Sequence, residues 1–262
     1  DDCSSRGLGD VYKRQPIAIT NCLNFGNPEK EKNMGEFVEC VNGISEAAKY
    51  LNFPVVSGNV SFYNETRDKA IKPTPSIGGI GLIEDYRNMI TMKLKKEGNI
   101  VLVIGKTEGY LDQSIFSRTV LLEKKGPPPE INLFNEKNNG ETILKLINKK
   151  LILSCHDVSV GGILTAVSKM CIKGKKGIKI NPQINLLNKF SYFFAEDQGR
   201  YVIEIEKKNL DSVKKLLKEN SVHFDEFGVV TKEKLQFKDE LNISIVDLSK
   251  KYKSWLENYM AN

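Results

Sequence analysis

At 262 residues, with 40% apolar and 27% charged residues, the chain has the composition of a globular protein able to bury a core without disulfides. The net charge of +6 comes from lysines interspersed with glutamates, in short runs such as Lys93-Leu94-Lys95-Lys96 and Lys173-Gly174-Lys175-Lys176, so solvated surface is the better reading and no nucleic-acid partner is expected. No apolar run nears the roughly 20 residues of a membrane span, no secretory pattern appears, and five scattered cysteines without a Cys-x-x-Cys pair suit reduced thiols in a cytoplasmic protein better than a disulfide framework or a zinc site.

Residues 1–15 are polar, hold Gly, Ser and Arg, and lack apolar periodicity. They read as a foreign or disordered junction and are set aside. Pro16 to Thr20 is a short apolar strand, predicted to end in a polar turn from Asn21 to Pro28. Phe37, Val38, Val41, Ile44, Ala47, Ala48 and Leu51 recur at spacings of three and four, which predicts a helix over Gly35 to Leu51. Pro54-Val55-Val56 is a second strand, predicted to stop at a Ser57-Gly58-Asn59 turn. Ser76 to Ile83 is an apolar strand with three glycines, which implies close backbone approach or a bulge.

The charged stretch from Glu84 to Asn99 holds the expected domain boundary. Beyond it, Ile100 to Ile104 is a buried strand, and residues 105–138 are predicted to be mostly loop. A short helix over Thr142 to Lys149 and a strand at Leu151-Ile152-Leu153 come next. His156-Asp157-Val158-Ser159 then leads through Gly161-Gly162 into a helix carrying Ile163, Leu164, Val167, Met170 and Cys171. Tyr201 to Ile205 alternates as a strand, and Leu210 to Leu217 marks another helix. Residues 221–246 contain short strands, and Asp247 is expected to cap a final helix. The alternation of strands and helices argues for an α/β or α+β fold.

Gly58 follows a strand and lacks the Cβ that would keep a backbone N–H from a phosphate. Asn59 offers a neutral oxygen of the kind Mg²⁺ accepts when phosphates supply the charge. Ser61, two residues on, points to the same side if the segment is extended. Taken alone, a structural turn is the favoured reading of Ser57-Gly58-Asn59. Asn24 and Asn27 read equally as capping amides or as a polar loop facing a ligand. For His156-Asp157, helix capping by Asp157 or Ser159 outweighs an anion site at the Gly161-Gly162 helix start. His223 has no carboxylate pattern around it and reads as structural.

Order and surroundings add what single motifs lack. Ile19-Thr20-Asn21-Cys22-Leu23-Asn24-Phe25-Gly26-Asn27-Pro28, Val55 to Glu65, Pro73 to Gly79, His156 to Gly162 and Glu196-Asp197-Gln198-Gly199-Arg200-Tyr201 together resemble phosphoribosylformylglycinamidine synthases of the small bacterial type, from about Pro16 to Met260. The resemblance implies two tandem copies of an aminoimidazole-ribotide-synthase-like unit, of which this chain is the second, N-terminally truncated. Residues 16–90 would be a partial N-terminal-type domain, 98–246 the C-terminal-type α/β domain, and 247–262 a C-terminal helix.

The implied reaction converts formylglycinamide ribonucleotide to formylglycinamidine ribonucleotide. ATP activates the amide oxygen as an iminophosphate, and ammonia displaces phosphate with Mg²⁺ in support. Ammonia would come from a glutaminase subunit, and a small accessory subunit would complete the complex. By the same resemblance Asn21 and Gly58 contact ATP, Asn59 ligates Mg²⁺ and Ser61 contacts the nucleotide substrate. Asn21 stands where the family usually has Asp, and Val160 where it usually has Asp. The family's catalytic histidine lies outside the matched stretch, so no residue here is assigned a catalytic role. The alternatives are a non-catalytic scaffold or decayed fragment, or a related cyclo-ligase.

Overall fold

The computed structural model describes residues 15–182 and 188–261. Of the expected junction, residues 1–14 lie outside these, and Gln15 opens the first strand. The chain divides into two units, one reaching to Glu84 and the other starting at Asp85.

In the first unit, β1 (Gln15–Asn24) is the central strand of a three-stranded sheet. After α1 (Glu31–Tyr50), β2 (Val55–Ser61) returns parallel to β1. A small ribbon of β3 (Glu65–Thr66) and β4 (Lys69–Ala70) precedes β5 (Thr74–Leu82), which pairs antiparallel on the other side of β1. Both predicted turns are therefore corrected. Asn21 to Asn24 and Ser57 to Ser61 are strand, because β1 is hydrogen-bonded on both sides and Thr20, Cys22 and Asn24 alternate with buried Ile19 and Leu23. The helix begins at Glu31 rather than Gly35, and Asn52, at φ 52°, ends it by letting Phe53 N–H reach the Ala48 carbonyl. Phe37 of α1 meets Phe25 and Phe62 edge-on at centroid distances of 5.2 and 5.1 Å.

The second unit is built on β6 (Ile100–Ile104), α2 (Ile115–Thr119), α3 (Leu133–Asn148), β7 (Ser154–Asp157), α4 (Gly162–Gly174) and β8 (Gly177–Ile180). It continues with α5 (Lys189–Phe194), β9 (Tyr201–Ile205), α6 (Leu210–Glu219), β10 (Phe224–Thr231), β11 (Lys234–Phe237), β12 (Leu241–Ser244) and α7 (Ile245–Met260). Seven strands form one mixed sheet in the order β12-β11-β8-β10-β6-β9-β7, where only the β8–β11 pair is parallel. Val101 and Val103 of β6 pack with Ile163, Val167 and Met170 of α4 in one apolar cluster. Leu102 and Ile104 point away from that cluster and are equally buried, so both faces of β6 are covered, as its near-continuous apolar sequence requires.

Three boundaries differ from expectation. α3 starts at Leu133, capped by the Asn132 side chain, which accepts from Asn135 N–H at 3.0 Å. β7 is Ser154–Asp157, not Leu151 to Leu153, because the ladder with β9 runs over Ser154 to Asp157, and Leu153 adds to it only its N–H, which donates to the Glu204 carbonyl at 2.8 Å. Ser244 rather than Asp247 caps α7, its hydroxyl accepting from Val246 N–H at 3.2 Å.

Candidate functional site

The four site residues read from the sequence lie on the adjacent parallel strands β1 and β2. Asn21 pairs with Gly58, Cys22 with Asn59 and Asn24 with Ser61. Strand alternation puts them on two faces. Asn21 and Gly58 share a face with Leu23, Val60 and Ile77, and this face is largely apolar. Asn59 and Ser61 share the other with Cys22, Asn24 and Ser76, which present hydroxyls, amides and a thiol but no carboxylate. The first face suits a flat, partly apolar group with polar edges. The second suits oxygens of a phosphate or a hydrated cation.

Gly58 has a clear physical reason. A Cβ there would lie 2.0 Å from Asn21 Oδ1 and 2.8 Å from the Asn21 carbonyl oxygen, so the Asn21 side chain fills the space that glycine leaves. Ser61 is tied into the strand end. Asn64 Nδ2 lies within reach of the Ser61 hydroxyl at 3.1 Å, the Ser61 carbonyl at 3.0 Å and the Phe25 carbonyl at 3.0 Å. Asn27 does local work, its side chain accepting from Glu29 N–H at 2.8 Å while its carbonyl accepts from Asn33. That settles Asn27 as a turn-forming amide.

For Mg²⁺, Asn59 supplies one neutral oxygen donor, and no carboxylate stands among the neighbouring positions named on its face. No cluster of three or more His, Cys, Asp or Glu that could hold a metal occurs among the described residues. Such a donor suits a supplementary ligand to an ion held mainly by phosphates and is insufficient for a resident ion.

In the second unit, the residues from His156 to Gly162 and from Glu196 to Arg200 form a separate polar centre. Gly161, at φ 86°, is the N-cap of α4, so neither Asp157 nor Ser159 caps it. The anion position at this helix start is taken by the chain itself: Glu196 Oε1 accepts from Gly161 N–H at 2.9 Å and from Ile115 N–H at 2.8 Å. Asp197 accepts from three consecutive amides, Glu108 and Gly109 at 3.0 Å and Tyr110 at 3.1 Å. Arg200, fully buried, donates to the carbonyls of Asp197 and Ala195 and to the Thr107 hydroxyl. The stretch that the sequence marks as a motif is thus a clamp on the 105–115 loop.

His156 is 3% exposed, with Nδ1 3.2 Å from Asp157 Oδ1. His223 is at the surface beside Asp225, at 3.4 Å. Glu136 has its carboxyl raised above the ordinary 4.5, first by burial and second by the Asp157 carboxylate. Its neutral form is therefore the better accommodated one, and stability drops as pH rises from the unfolded value through the folded one. Glu136→Gln is expected to stabilise the protein at neutral pH and to lose that advantage in acid. Urea midpoints of both proteins across pH 4 to 8 check this, and parallel curves would refute it. Cys22, Cys40, Cys155 and Cys171 form no disulfide, and burial pushes the Cys171 thiol up to about 12, so it is no nucleophile at neutral pH.

A three-stranded sheet followed by a seven-stranded mixed sheet, with a polar clamp at the head of α4, defines a two-unit α/β protein. The family model for the AIR synthase related protein, C-terminal domain, matches residues 96–239, and that for the N-terminal domain matches residues 13–83. The chain belongs to the AIR synthase related proteins. It is 67% identical over 95% of its length to the phosphoribosylformylglycinamidine synthase subunit PurL of Pelagibacter ubique, and spans 34% of that protein. Its fold is similar to T. maritima PurL complexed with FGAR, at TM-score 0.70 and 16% identity, over 91% of this chain and 40% of that one. T. maritima PurL complexed with ATP gives 0.68 and 15%, over 92% and 39%. The chain thus spans about a third of the length of the curated relatives it matches. No described helix is long and apolar enough to cross a membrane.

Proposed function

We propose that this chain forms the second AIR-synthase-like unit of a phosphoribosylformylglycinamidine synthase, in the cytoplasm, and supplies one side of its nucleotide and substrate site. The observation that carries the reading is the high identity to a curated synthase subunit along nearly the whole chain; the four site residues lie on the neighbouring strands β1 and β2, two on each face. The exposed apolar side chains of the small sheet, among them Val56, Ile80 and Leu82, support a unit that works against further protein surface.

In this reading Asn21 and Gly58 hold the ATP, Asn59 gives an oxygen to the Mg²⁺ that arrives with it, and Ser61 bonds the ribonucleotide substrate. Mg²⁺ would supply charge neutralisation at the phosphates. The substrate amide oxygen attacks the terminal phosphorus of ATP and releases ADP. Ammonia from the glutaminase subunit adds to the iminophosphate carbon and phosphate leaves. The accessory subunit completes the assembly. The chain by itself is inactive, since the catalytic histidine belongs to the other copy of the unit.

A full-length polypeptide carrying this segment is expected to form the amidine only with both ATP and ammonia. In it, Asn59→Ala raises the Mg²⁺ concentration for half-maximal rate by about tenfold. Unchanged Mg²⁺ dependence removes the metal role from Asn59, and absence of ATP-dependent amidine formation removes the whole reading.

A further inference from the structure

Between α4 and α7 lie two hollows, about 440 and 640 Å³, that share Ile172, Lys173 and Tyr252 and so form one groove. Both volumes fall within the roughly 300–1,000 Å³ typical of concave binding sites. The larger hollow carries Ile172, Ile245, Val246 and Tyr252 as its apolar lining. Lys169 and Lys173 stand along the smaller hollow, and Lys93, Lys175, Lys232 and Lys253 stand around the larger. Among the described residues that line the pair, two are carboxylates. Asp157 is buried beside His156 at 3.2 Å, and Glu233 lies 3.6 Å from Lys232.

Lysines thus outnumber carboxylates in this described lining by six to two, and Ile172, Ile245, Val246 and Tyr252 give it its apolar part. Val246 is 77% exposed and Tyr252 56%, a large apolar area to leave in water beside so many cations. Further along α7 the rings of Trp255 and Tyr259 stack on each other at 5.6 Å and 13°, which covers one face of each. A groove between two helices fits an inserted helical segment better than a flat lipid surface.

We propose that the α4–α7 groove docks an acidic segment of a partner protein, with aliphatic residues entering against Ile172, Val246 and Tyr252 and carboxylates meeting the lysines. The inference stands independently of the synthase reading, because it uses no residue of β1 or β2.

The test uses the full chain and a fluorescein-labelled peptide of Glu with Leu at helical spacing, read by anisotropy at physiological salt. Saturable binding that weakens with added salt is expected. K169E/K253E should lower the affinity by about tenfold or more, and so should Val246→Glu, at a position folding does not bury. Circular dichroism confirms that each variant is folded, and Val246→Glu keeps the test open if the charge reversal misfolds. The same peptide with Lys for Glu should not bind. Failure of the Glu peptide to bind, equal binding by Val246→Glu, or tighter binding of single-stranded RNA or of anionic phosphatidylserine vesicles would each overturn the proposal.

Discussion

Asp197→Ala is expected to destabilise the protein by about 3–5 kcal/mol, the range seen when one partner of a buried charge pair is removed. The Asp197 carboxylate accepts from the amides of Glu108, Gly109 and Tyr110, and lies 3.8 Å from Arg200 Nη1. Without it three amides lose their acceptor and the Arg200 guanidinium, whose side chain is 0% exposed, loses its counter-charge. Burial already pulls Arg200 below its usual range, and Asp197 is the leading influence that opposes this. Asn at 197 keeps acceptor geometry but no charge, so its effect should fall between. A urea midpoint shift worth under about 1 kcal/mol would mean that the loop, not the carboxylate, holds itself in place. Since stability is of order 5–15 kcal/mol in total, the alanine variant should be marginal at growth temperature.

Glu204→Ala is expected to be of similar size and to act on a different segment. Glu204 is 0% exposed on β9, and its carboxylate accepts from Lys95 N–H at 2.8 Å, Lys96 N–H at 3.0 Å and Asn99 Nδ2 at 2.6 Å, and from the Ser154 hydroxyl. It pins the strand-like 91–99 stretch, where Met92 and Leu94 are buried, to the edge of the sheet beside β7. Alanine would leave the Lys95, Lys96 and Asn99 donors without this acceptor, while the Ser154 hydroxyl keeps the Lys93 carbonyl, at a cost of about 1–3 kcal/mol for each donor that water cannot reach. Hydrogen exchange distinguishes this from general weakening: the Lys95 and Lys96 amides should lose protection before those of β6 do. Uniform loss across the sheet would show that Glu204 stabilises the fold as a whole rather than this segment.

Both carboxylates were invisible as structural centres in the sequence, for one reason. Glu204 sits in an alternating strand and Asp197 in a motif that the resemblance associates with function, yet the backbone amides they accept from are 87 to 109 residues away. Local pattern carries no information on which distant amides a side chain will meet. The same limit explains the shortened strands. Asn21 to Asn24 and Ser57 to Ser61 are rich in turn-forming residues, and only their pairing, with β1 bonded on both sides, makes them strand. α3 gives the converse case. Its Asn-rich start has poor intrinsic helix propensity. It holds because Asn138 donates to the Asn220 carbonyl at 2.8 Å and Asn139 to the Gly199 carbonyl at 2.9 Å.

What the sequence determined by itself is the set of elements with strong periodicity: the stripe of α1, the all-apolar β6, the buried face of α4, and the order of short motifs that points to one family. These depend on spacing along a single segment, which the chain encodes directly. The tertiary structure alone decided the rest. It put Asn21 and Gly58 on one sheet face and Asn59 and Ser61 on the other. It gave the helix start at Gly161 to the Glu196 carboxylate, and it opened a lysine-lined groove between α4 and α7. Each of these depends on which face, edge or helix end meets which, and that is fixed by packing between segments remote in sequence.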